Sequence, residues 1–251
     1  MASDVFFAGQ ICYLNDINRY HAVCFGLLNA KKVFERTFQF QYRPQLQQEA
    51  ERVRLALAAG KQISDPSFPR YPYRIASLDE RLIDCFLIGT FFEIAAKSFL
   101  LDKGFVVHKL KRGSNDPDIV RMARHQRTTP VTIAEVLRHD HFQDNQGKGR
   151  NGLESLEFMT VDYGWLYGND YERKLGFDQA FCSLARYYRI ERNMIHFPLA
   201  GASENQIENP EAAHVNGFDH LAVIIDFIEK SLVPLFERRK QQYNFTFFSI
   251  S

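Results

Sequence analysis

The chain has 251 residues, 45% of them hydrophobic and 24% charged, the balance of an ordinary globular protein with enough length for a real core. Its 31 Lys and Arg against 30 Asp and Glu leave a net charge of +1. This excludes a globally basic nucleic-acid coat and a strongly acidic mimic, though not a local basic patch. The 23 Phe and 11 Tyr predict a phenylalanine-rich core.

In chain order, the periodicity predicts a first helix from about Asn15 to Thr37, with Ile17, Tyr20, Val23, Leu27 and Phe34 among its apolar positions. A second helix opens at Pro44, which is tolerated in a first turn, and ends at Gly60. Three prolines make Ser64–Tyr73 a loop. Ser77 and Glu80 form a capping box for a third helix that runs to Lys103 and stops at Gly104. Its apolar residues surround most of the circumference, which predicts a central position. This helix contains the longest apolar stretch, Leu82–Leu101, but Asp84, Glu93 and Lys97 interrupt it, and each is costly at a bilayer centre. The N-terminal residues Met1–Phe7 lack the regions of a signal peptide. A cytoplasmic protein without a membrane partner is expected.

Residues 105–176 read as an insertion or irregular excursion within a single domain spanning 1–251. Phe105–Lys111 alternates weakly, as a short strand does. Asp116-Pro117 opens a short helix to Arg124, and Thr132 with Glu135 forms another capping box. Gln143–Gly152 is a polar, glycine-rich loop, and the aromatic segment 153–176 carries no clear pattern. A fourth long helix is expected from about Phe177 to Phe197, a polar loop over Ala200–Gly217, and a fifth helix from Phe218 to Gln242 that Pro234 kinks. The tail Phe245–Ile250 is expected to be β-like or docked. The predicted class is all-α or nearly so, an antiparallel helical bundle with an irregular insertion.

Cys12, Cys24, Cys85 and Cys182 are far apart, with no Cys-x-x-Cys pair, so reduced thiols are expected rather than a zinc or redox motif. His139-Asp140-His141 has no third ligand at a useful spacing. No metal and no cofactor is therefore expected. The glycines of Gly147–Gly152 do not follow the order of a phosphate loop.

The segment richest in chemistry is Arg186 to Pro198. At about 100° per residue, Asn193, His196 and Arg192 fall within about 60° of Arg189 on a helical wheel. The helix would pack with Leu184, Tyr187, Ile190, Met194 and Ile195 and present this polar stripe. A guanidinium fork fits phosphoryl oxygens, and an imidazole titrating near neutrality can move protons to and from oxygen. The same residues also suit an ordinary solvated face with surface ion pairs. On the third helix, Phe86, Gly89, Thr90, Glu93 and Lys97 share a second arc, and Glu93 either orients the Arg/His stripe or forms a plain i,i+4 pair with Lys97.

Arg189, six intervening residues and His196 resemble the R-x(4–6)-H signature of the HEPN superfamily. The dipeptide Arg192-Asn193 also resembles the family's Arg-polar form, although Arg192 and His196 are separated by only three residues. The resemblance implies a helical domain and a metal-independent endoribonuclease that leaves a 2′,3′-cyclic phosphate. It also implies a homodimer that brings two motifs together, with a role as a toxin or phage-defence effector. Arg189 and His196 are the first catalytic candidates, with Arg192, Asn193 and Glu93 in support. The basic residues Lys109, Lys111, Arg112, Arg121 and Arg124 are candidates for steering RNA. The alternatives are a non-catalytic helical dimerisation or binding module, or a toxin-neutralising partner, together with a phosphate-holding nucleotide sensor. An antitoxin or regulatory protein is a further expected partner.

Overall fold

The computed structural model describes residues 5–7, 10–41, 44–62, 78–110, 117–125, 131–138, 158–160, 177, 181–182, 184–186, 188 and 220–246. Within them the chain is mostly α-helical, with two short antiparallel ribbons. In the first ribbon β1 (Val5–Phe7) pairs with β2 (Gln10–Cys12). Helix α1 (Asp16–Gln41) follows, and the Asn15 side-chain oxygen caps it by accepting from the amides of Ile17 and Asn18. Helix α2 spans Pro44–Ala58 and α3 spans Leu78–Asp102. Ser77, Ser64–Tyr73, Gln143–Gly152 and Ala200–Gly217 lie outside the described residues.

Both α2 and α3 end as their glycines predict. Gly60 (φ 76°) and Gly104 (φ 81°) adopt the left-handed conformation that a Cβ disfavours. After α2 the Lys61 amide donates to the Ala56 carbonyl and the Gly60 amide to Leu57; after α3 the Phe105 and Gly104 amides do the same to Leu100 and Leu101. These paired bonds satisfy carbonyls that a helix end otherwise leaves open.

The centre is α1 against α3. Gly26 lies against Ser98 and Phe34 against Phe91, so the two helices run antiparallel. The chain returns through α6 (His220–Phe227), a π-helical turn at Ile228–Leu232 and α7 (Val233–Tyr243). Tyr20 stacks on Tyr243 at 4.9 Å and the Cys24 thiol reaches the Phe236 carbonyl, so α7 is also antiparallel to α1. Pro234 was expected to kink this fifth helix. The irregularity found beside it is the π-turn, in which the Val233 amide reaches back to the Ile228 carbonyl.

The core is rich in phenylalanine, as the composition predicts. Phe91, Phe92, Phe181 and Phe236 are fully buried. Phe181 stacks on Phe227 at 3.8 Å between ring centres and tilts against Phe92 at 5.0 Å. Phe99 and Phe177 extend the same layer. Burying each ring contributes about 1.5–3 kcal/mol against leaving it in water.

A second, smaller core sits beyond the C-terminus of α3. It joins Leu14, Val106, Leu110, Ala123, Val131, Ile133 and Val136. Strand β3 (His108–Leu110) lies within the expected strand 105–111, and helix α4 (Pro117–His125) starts at the expected proline. Helix α5 (Ile133–Leu137) carries the full capping box of Thr132 and Glu135. Strand β4 (Phe158–Thr160), in the segment without a sequence pattern, pairs with β3 in the register His108 to Thr160. The Val106 amide donates to Val131 and the Ile133 amide to Gly104, fastening this unit to the end of α3. Among the described residues, no helix is long and apolar enough to cross a membrane.

Candidate functional site

Arg189, Arg192, Asn193 and His196 lie outside the described residues, as do Lys111, Arg112 and His139–His141. Lys109 is placed on β3 by its backbone. Arg121 and Arg124 are exposed on α4. Glu93 does form the i,i+4 pair with Lys97, at 2.5 Å, with both side chains mostly shielded (18% and 23% exposed).

The start of the predicted fourth helix is helical at residues 181, 182, 184–186 and 188. Phe181, Cys182, Leu184, Ala185 and Tyr188 are buried there, whereas Arg186 is exposed. Leu184 was expected on the packed side. Cys182 and Ala185 are buried as well, and at about 100° per residue they fall on the arc of the polar stripe. Over these turns the packed side therefore includes that arc. The reason is Phe92, which meets both Phe181 and Tyr188 and draws their side of the helix onto α3.

The described residues also form a pocket of about 250 Å³ between the two cores. Its walls come from α1 (Ala22, Phe25, Gly26), from α3 (Ile94, Lys97, Ser98), from the connection between α3 and β3 (Phe105–Val107) and from the first residue of β3, His108. Apolar surface dominates, and the polar groups are those of Lys97, Ser98, His108 and Tyr13. The two helices meet closely here because Gly26 has no side chain. A Cβ on Gly26 would stand 2.2 Å from the Ser98 hydroxyl oxygen, which donates to the Ile94 carbonyl at 2.8 Å. Of these residues only Lys97 was singled out from the sequence. A glycine and a serine inside two long helical patterns were the available signal.

A charged and aromatic cluster closes the other side of α1. Arg239 donates to the Asp102 carboxylate at 2.6 Å, and its guanidinium stands over the Tyr20 ring at 4.3 Å. Burial works most strongly against the Arg239 charge, but the Asp102 hydrogen bond and charge, with Tyr20 and Tyr243 beside them, together outweigh it and hold the guanidinium above its usual value. The Tyr20–Tyr243 stack continues onto Phe245, so the start of the tail is docked against α7 and α1. Burial pushes the neighbouring Cys24 thiol up to about 11. Cys24 and Cys182 are buried and outside any disulfide, the environment of an inert structural thiol.

Among the described residues, no three His, Cys, Asp or Glu side chains cluster closely enough to hold a metal ion. The chain matches no protein-family model, no curated protein and no solved structure.

Proposed function

We propose that the protein is a HEPN-type endoribonuclease that acts as a homodimer and cuts RNA without a metal ion. The observation that supports this reading is the burial pattern of residues 181–188. In helical periodicity Arg192 continues the line of Phe181, Ala185 and Tyr188, and His196 follows Ala185 by eleven residues. A line of side chains that is buried and apolar for two turns, then turns cationic, suits a cleft between helices better than a solvated face. A cation placed on such a face costs several kcal/mol unless it is paired, and a phosphodiester there would offset that cost.

In this reading His196 takes the proton from a ribose 2′-hydroxyl as its oxygen attacks phosphorus. The P–O5′ bond breaks, the His196 imidazolium passes its proton to the leaving oxygen, and a 2′,3′-cyclic phosphate remains. Arg189 stabilises the charge on the phosphoryl oxygens, with Arg192 and Asn193 in support. The exposed Arg121 and Arg124 on α4, with Lys109, Lys111 and Arg112 nearby in sequence, draw RNA by phosphate attraction. A toxin or phage-defence role in the cytoplasm, restrained by an antitoxin or regulatory protein, fits this activity.

Arg189→Ala and His196→Ala are each expected to lower RNA cleavage at least a hundredfold with unchanged circular dichroism, and EDTA is expected to leave the wild-type rate unaltered. Cleavage retained in both variants defeats the proposal. A wild-type protein that cuts no RNA also defeats it, in favour of a non-catalytic binding module or toxin-neutralising partner.

A further inference from the structure

The pocket between the two cores has no part in the proposed nuclease chemistry, and its lining is specific enough to name a ligand class. Its volume is about 250 Å³. At roughly 30 Å³ per non-hydrogen atom, the share of a water molecule in the liquid, it holds a body of about eight such atoms.

The chemistry of the walls is asymmetric. Ile94, Leu101, Val106, Val107 and Ile133 supply an apolar lining, which favours a compact apolar body over a sugar or an amino acid. Among the described residues, the lining includes Lys97 and His108, both able to carry positive charge, and no Asp or Glu. The Lys97 ammonium gives one of its three hydrogens to Glu93 at 2.5 Å. Glu93 thereby anchors the ammonium and leaves it hydrogens for an incoming acceptor. Phe25, 53% exposed, stands at the rim, where a ligand would cover it.

We infer that this pocket binds a small organic monocarboxylate with a compact apolar body, of the aryl or short-acyl kind, with Lys97 and His108 facing the carboxylate. The ligand would touch α1, α3 and the connection to β3 together, and so bridge the bundle to the smaller unit. This inference does not depend on the nuclease reading.

Benzoate and its neutral isostere benzamide test it by isothermal titration against the full chain. Benzoate is expected to bind at least ten times more tightly than benzamide, and to raise the melting temperature at millimolar concentration. Lys97→Met keeps most of the stem and removes the charge, so it is expected to abolish the preference for benzoate. Ala22→Phe fills the pocket and is expected to weaken both ligands at least tenfold. Equal binding of the two ligands, no binding of benzoate at millimolar concentration, or wild-type affinity in folded Ala22→Phe overturns the inference. The comparison of the two ligands on the wild-type protein decides the matter even if a variant fails to fold.

Discussion

Gly26 lies inside α1, where glycine ordinarily costs about 1 kcal/mol relative to alanine. The neighbour across the interface explains its presence. A methyl group there would meet the Ser98 hydroxyl at 2.2 Å but the Ser98 Cβ only at 3.4 Å. Gly26→Ala is therefore expected to lower stability by about 1–2 kcal/mol through overpacking, despite the better helix propensity. In a Ser98→Ala background the clashing oxygen is gone, and the same substitution is expected to raise stability by up to about 1 kcal/mol. Urea denaturation of the four proteins measures this coupling; additive effects would contradict the close contact. Arg239 and Asp102 show the opposite case at this scale. Asp102 is buried and Arg239 nearly so, and each group's charge is tolerable because the other stands 2.6 Å away.

At the scale of elements, the helix ends follow local rules. Asn244 (φ 50°) repeats after α7 the arrangement that Gly60 and Gly104 make after α2 and α3, with the Phe245 amide donating to the Lys240 carbonyl. The opposite end of a helix is best seen at α5. The Thr132 hydroxyl accepts from the Glu135 amide, and the Glu135 carboxylate accepts from the Thr132 amide at 2.6 Å. The Thr132 amide holds the Glu135 carboxyl below its ordinary value; burial opposes this, and the Thr132 hydroxyl adds to it. A depressed carboxyl contributes stability that is present above its unfolded value of about 4.3 and is lost as pH falls through the lower folded value. Glu135 is exposed and water screens its charge, so wild type is expected to exceed Glu135→Gln in stability by only about 0.3 kcal/mol at pH 6, with the gap closing in acid. Chemical denaturation at a series of pH values reads it, and a gap that grows on acidification would contradict the sign.

For the whole molecule, the two cores meet at the C-terminus of α3, where Gly104 accepts from Ile133. The proposed nuclease further requires two copies. Sedimentation equilibrium is expected to report twice the 29.2 kDa of one chain, and a mass that stays at one chain under cleavage conditions would remove the shared-site form of the proposal.

The helical class, the ends of α2 and α3, the start of α4, the α5 cap and the phenylalanine core all follow from the sequence by itself. Each rests on periodicity, composition or residues within a turn or two of one another, such as Thr132 with Glu135. The pairing of β3 with β4, the Gly26–Ser98 approach and the pocket beside it were decided only by tertiary structure. So was the side of the 181–188 helix that packs, which Phe92 selects from far away in the chain. These features depend on which distant surfaces meet. Single-chain patterning constrains such meetings weakly, because many pairings bury similar apolar area until close packing separates them.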